Sequence, residues 1–162
     1  CIDSKLLIGT STQTFAPEDP MTRAMIATVF YRLADAPSVS GKENPYSDVY
    51  DDYYRDAAVW MHSSGVNLDD GYGFFRPDDI VTRQEFAYLL YRFSGSGKPD
   101  ADLTAFSDAG NVNDKYLDAM KWAVANGIII GTDEGTLEPT RGASRAEISA
   151  MLYRFLHATN SI

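Results

Sequence analysis

The chain has one cysteine, Cys1, among 162 residues, so it can build neither an internal disulfide nor a thiolate metal cluster. It has two histidines, His62 and His157, and neither has a Ser or Cys in a recognisable catalytic arrangement with it. Basic residues are scarce, 14 Lys and Arg against 23 Asp and Glu, for a net charge of −9. An acidic surface repels a phosphate backbone, which argues against nucleic acid as a partner. Screening confines that repulsion to about 8–10 Å at moderate salt, so a few placed arginines can still capture a single carboxylate. No apolar run approaches the ~20 residues that a bilayer-spanning helix needs, which argues against membrane insertion. No cofactor is expected.

What is present is enough for a folded core. The apolar share is 44% and the aromatic share 12%, and a chain of this length buries roughly two thirds of the surface its unfolded form exposes. The dominant feature is an internal repeat. Pro17–Leu33 reads PEDPMTRAMIATVFYRL, Pro77–Phe93 reads PDDIVTRQEFAYLLYRF, and Pro139–Phe155 reads PTRGASRAEISAMLYRF. In each, a Pro is followed at constant spacing by two arginines: Arg23 and Arg32, Arg83 and Arg92, Arg145 and Arg154. A fixed long period marks units that cannot bury their apolar faces alone.

Each copy carries a helix signature. Thr22, Thr82 and Ser144 stand at N-cap positions. Ile26/Val29/Phe30/Leu33, Phe86/Leu89/Leu90/Phe93 and Ile148/Met151/Leu152/Phe155 then follow at the spacing of one helical face. Glu85 and Glu147 complete capping boxes and read as structural, whereas the first copy has Met25 there. The Arg after each cap faces the positive end of the helix dipole, at a cost of a few tenths of a kcal/mol. A disfavoured residue used three times suggests a purpose, either a binding role or pairing with a nearby Asp.

A second helix precedes each of the later copies. It carries Tyr54, Ala57, Ala58, Trp60 and Met61 in one and Tyr116, Ala119, Met120, Trp122 and Ala123 in the other, ending at Gly65 and Gly127. Tyr46-Ser47-Asp48 and Phe106-Ser107-Asp108 are matching entries to these helices, and Asp35–Asn44 and Ser94–Asp102 read as linkers. Val66–Leu68 and Ile128–Ile130 allow at most a very short extended piece. The fold class is therefore all-α, helix-loop-helix repeated. Expected boundaries are 1–36 for a partial first copy, 45–95 for the second and 104–158 for the third. Matching the copies places Cys1 opposite Met61 and Ala123, in mid-helix, which reads as a fragment of a longer chain.

Laid together, FSD at Phe106–Asp108, WAVANGIIIG at Trp122–Gly131 and SRAE at Ser144–Glu147 closely resemble the S-layer homology repeat. The resemblance covers nearly the whole chain. It implies a pseudo-threefold arrangement around a central three-helix bundle, with grooves between neighbouring repeats. It also implies a non-catalytic, extracellular role at the bacterial cell surface, in attachment to a secondary cell wall polymer through a pyruvylated amino-sugar terminus. The family's Arg falls on Arg23, Arg83 and Arg145, its entry Asp on Asp48 and Asp108, its Trp on Trp60 and Trp122, and its groove Gly on Gly9 and Gly131. An Arg fork and a helix N-terminus both suit a carboxylate. An Asp suits hydroxyls or fixes the Arg, a Gly admits close backbone approach, and a Trp offers a flat face. Asp69 stands where the second copy's groove Gly would be, and the first copy lacks its Asp and Trp.

Three other readings are open. Asp69 and Asp78 could be named as a glycosidase pair, although nothing singles them out. The acidic stretches Asp48–Asp56 and Asp69–Asp79 suggest metal, but lack the order of an EF-hand loop. A surface spacer or protein-interaction array that has lost glycan binding is the stronger rival. A partial first copy leaves Ile8 and Phe30 potentially uncovered, and a domain-swapped dimer would be one way to cover them.

Overall fold

The computed structural model describes residues 16–159. The expectations for Cys1, Ile8 and Gly9 fall outside that range. Five α-helices follow in order: α1 (Arg23–Leu33), α2 (Asp52–Ser64), α3 (Arg83–Ser94), α4 (Leu117–Ala125) and α5 (Arg145–Ala158). Among the described residues there is no strand, only the isolated bridges Thr22 to Ile80 and Thr82 to Gly142. The fold is all-α, as the periodicity implies.

The chain divides into two compact units, Cys1–Val81 and Thr82–Ile162. The first holds α1 and α2 packed together, the second α3, α4 and α5. Unit 1 buries Ile26, Val29 and Phe30 of α1 with Ala57, Ala58 and Met61 of α2. Unit 2 buries Phe86, Leu89 and Leu90 of α3, Met120 and Ala123 of α4, and Ile148, Met151 and Leu152 of α5. The helical spacing selects those of α1, α3 and α5; Leu33 and Phe93, which it also selects, are half-buried.

The caps are where the sequence puts them. The hydroxyls of Thr82 and Ser144 accept from the N–H groups of Glu85 and Glu147, and both glutamates bond back to the cap backbone. Thr22 accepts from Met25, whose apolar side chain cannot reciprocate. Gly65 ends α2 in the left-handed conformation at φ 73°. One boundary differs from expectation. Tyr116 lies in a 3-10 turn, Asp114–Tyr116, and α4 begins only at Leu117. Two more residues separate Asp108 from Tyr116 than separate Asp48 from Tyr54, and they are taken up in 3-10 turns.

The starts of α1 and α3 are completed from the turn before the next cap. Arg23 and Ala24 donate their N–H groups to the carbonyls of Asp79 and Pro77. Arg83 and Gln84 donate theirs to Arg141 and Pro139 in the same register. These are first-turn donors, which a helix leaves without internal partners.

Candidate functional site

Arg23 and Arg83 turn away from the axis of their own helices and seek carbonyl oxygens, which accounts for an arginine at a position the dipole disfavours. Arg23 donates from Nη1 to Phe75 O at 3.0 Å and from Nη2 to Leu68 O at 3.1 Å. Arg83 donates from Nε to Leu137 O at 2.8 Å and from Nη1 to Glu147 Oε1 at 2.9 Å. Arg83 is 6% exposed and Arg145 5%. The carboxylate partner of Arg83 is thus a capping-box glutamate rather than an aspartate. Glu147 caps Ser144, holds Arg83 and receives two nitrogens of Arg141. Burial works against its charge, but the bonds from Arg141, Ser144 and Arg83 prevail, and its carboxyl titrates below the ordinary value.

Asp48 and Asp108 do one job in two places. Asp48 accepts from the N–H groups of Phe75 and Arg76 at 2.8 and 2.7 Å, and Asp108 from those of Leu137 and Glu138, both at 2.7 Å. Arg76 and Glu138 have φ of 58° and 48°, left-handed values for non-glycine residues that precede a proline. Such backbone costs about 1–3 kcal/mol and persists only where its surroundings hold it. The two carboxylates do the holding. Phe75 and Leu137 are consequently hubs, each donating its N–H to the Asp and accepting the Arg at its carbonyl.

Trp60 and Trp122 are 7% and 6% exposed. Their rings lie against Tyr31 in one unit and against Tyr91 and Phe155 in the other. Gly131 has no positive φ; it is required by close approach. A Cβ there would overlap the Phe106 ring and lie 3.2 Å from Thr136 O. Asp69 stands at the matching position of unit 1 within a polar network. Tyr46 donates its hydroxyl to Asp69 Oδ1 at 2.5 Å, and His62 Nδ1 lies 2.8 Å from Asp69 Oδ2. Burial and the Asp69 bond push the Tyr46 phenol well above its usual range.

Unit 2 brings Arg83 and Gly131 to one cleft of about 290 Å³, with Thr132, Glu147, Met151 and Arg154 in its wall. Arg145, Asp108 and Trp122 are not among the lining residues. Two guanidiniums against one carboxylate give this cleft a local positive excess on a chain of net charge −9. The bonds of Arg83 engage Nε and Nη1, leaving Nη2 without a partner among the described residues. Arg154 donates from Nη1 to Ile128 O at 3.3 Å. The first-turn N–H groups of α3, expected to help hold a carboxylate, are taken by Arg141 O and Pro139 O, so capture there falls to the side chains. Arg154 was not singled out as a site residue from sequence; its signal was the constant spacing of the second arginine. Arg141 gave no signal, since the other copies have Asp19 and Asp79 in its place. No group of three or more metal-ligating side chains occurs among the described residues.

Residues 105–148 match the S-layer homology domain model. A surface-layer 125 kDa protein of Lysinibacillus sphaericus is 28% identical over 94% of this chain and 13% of its own length. The exoglucanase XynX of Acetivibrio thermocellus is 27% identical over 95% of the chain and 14% of its own length. A cellulosome-anchoring protein of the same organism is 33% identical over 56% of the chain and 21% of its own length. The chain therefore spans less than a quarter of each of these relatives. The extracellular, cell-wall localisation expected from the sequence agrees with the surface proteins among them. Residues 105–148 are thus similar to the S-layer homology domain, and relatives that include surface-layer and cellulosome-anchoring proteins align over more than half of the chain.

Proposed function

We propose that the chain is a non-catalytic anchoring module that holds an anionic sugar terminus of a secondary cell wall polymer in the Arg83 cleft. The observation that carries this reading is the Nη2 of a nearly buried Arg83, left over after Nε and Nη1 are fixed, in a cleft that also contains Arg154. A fixed guanidinium loses little freedom on binding, and each charge-assisted bond to a carboxylate contributes about 1.5–3 kcal/mol. A pyruvate ketal on an amino sugar supplies such a carboxylate. Gly131 and Thr132 give the sugar ring close backbone and a hydroxyl. On this reading Asp48, Asp108, Trp60 and Trp122 shape the grooves from behind, and Arg23 and Arg145 serve further grooves of three tandem repeats set around a pseudo-threefold axis.

Calorimetric titration with pyruvylated N-acetylmannosamine tests it. Arg83→Ala and Arg154→Ala should each weaken binding by about tenfold or more. No heat at millimolar sugar from the folded wild-type protein would overturn the reading. It would favour a surface spacer or protein-interaction array, which the pairing of Arg83 with Glu147 already allows.

A further inference from the structure

A larger recess lies in unit 1, and Arg23 is not among its lining residues. It measures about 570 Å³ and is walled by the end of α1, the linker and the outer face of α2, with Tyr31, Lys42, Asp52, Arg55 and Asp56 among its lining residues. That volume is within the ~300–1,000 Å³ of small-molecule sites. The linker is built over the recess rather than left loose. Tyr31 donates its hydroxyl to Pro37 O at 2.9 Å, Lys42 N–H bonds to Val39 O, and the Asn44 amide bonds to Val49 O. Asp35 and Ala36 are consecutive non-glycine residues with φ of 66° and 45°, a strained turn that sets the linker's course.

The charges in this wall are the informative part. Two are positive, Lys42 and Arg55, and two negative, Asp52 and Asp56. Asp52, Arg55 and Asp56 form no ion pair or side-chain hydrogen bond with any described residue, although they line one recess. Lys42 Nζ donates to Ser63 Oγ and is not neutralised. Unit 2 differs: in the register that aligns Trp60 with Trp122, Arg55 falls opposite Leu117, and Asp118, opposite Asp56, approaches Lys98 at 4.0 Å.

We propose that this recess binds a neutral, hydroxyl-rich saccharide unit. Its lining charges cancel, so it does not select an ion. It offers strong acceptors beside strong donors, and vicinal sugar hydroxyls donate and accept together. Val39, Val59 and Tyr31 give the ring's apolar face a wall. No strand edge is present among the described residues to pair with an extended peptide. The site is separate from the Arg83 cleft and does not rest on the anchoring reading.

The test is titration of the whole isotopically labelled chain with cellobiose and with di-N-acetylchitobiose, two neutral disaccharides, followed by NMR. Shifts should map to the linker, Tyr31 and α2, and the double variant Arg55→Ala/Asp56→Ala should weaken them by about tenfold. Both side chains are solvent-exposed, so the variant keeps the fold, and circular dichroism checks that. Arg83→Ala should leave this binding unchanged. Absence of shifts at millimolar disaccharide, shifts mapping elsewhere, or a response only to pyruvylated or other anionic sugar would each overturn the proposal.

Discussion

The position after the short apolar stretch is solved differently in the two units. In unit 2 Gly131 lies so close to the Phe106 ring that no side chain fits, and its backbone faces the Arg83 cleft. In unit 1 the same position is Asp69, the phenylalanine is Tyr46, and His62 stands where unit 2 has Val124. Three residues have changed together, and each makes sense only with the others. A carboxylate at this point needs a donor on the ring beside it, and Tyr46 provides one. The lesson is that a repeat can keep its scaffold while changing the polarity of its groove wall. A negative charge at Asp69 opposes an anionic ligand, whereas Gly131 with Arg83 and Arg154 favours one.

The sharpest way to break the comparison is at the part the units share. Asp108→Ala should cost about 3 kcal/mol or more, since two charge-assisted bonds disappear and the strained Glu138 loses its holder. Asp48→Ala should cost about the same in chemical denaturation; a loss in only one would show that the two carboxylates are not equivalent. Gly131→Ala should cost about 1–3 kcal/mol through overlap with Phe106. Asp69→Gly, by contrast, should lose the Tyr46 and His62 bonds, and the calorimetric titration asks whether it adds a second anion site. Tyr46→Phe is expected to cost about 1 kcal/mol, the net worth of one hydrogen bond. The smallest effect concerns pH. The Glu147 carboxyl is held below its unfolded value of 4.5, so its stabilising contribution is complete above that value and fades as pH falls through the folded one. Glu147→Gln should flatten this part of the acid limb of the stability profile.

Much of this was legible in sequence because it is local. The N-caps Thr22, Thr82 and Ser144, the capping boxes and the buried helical faces depend on residues three or four apart, and spacing exposes them. The partners of the arginines were not legible, because Phe75, Leu68 and Leu137 lie far along the chain and contribute backbone, which is the same in every residue. Glu147 read as a cap alone because its second partner, Arg83, is on another helix. The contact between His62 and Asp69 was not legible either, because it depends on the left-handed exit at Gly65.

The reach of those arginines bears on how the chain acquires its structure. Arg23 finds its first carbonyl 45 residues later and its second 52 residues later, and Arg83 waits 54 residues for Leu137. Helical proteins usually fold fast because their contacts are local. Here α1 can form early from its own hydrogen bonds, but its first turn is completed only when the following turn has emerged and closed a long loop. Nascent copies therefore depend on their successors, and a chain that stops before Pro77 should display α1 with a frayed beginning.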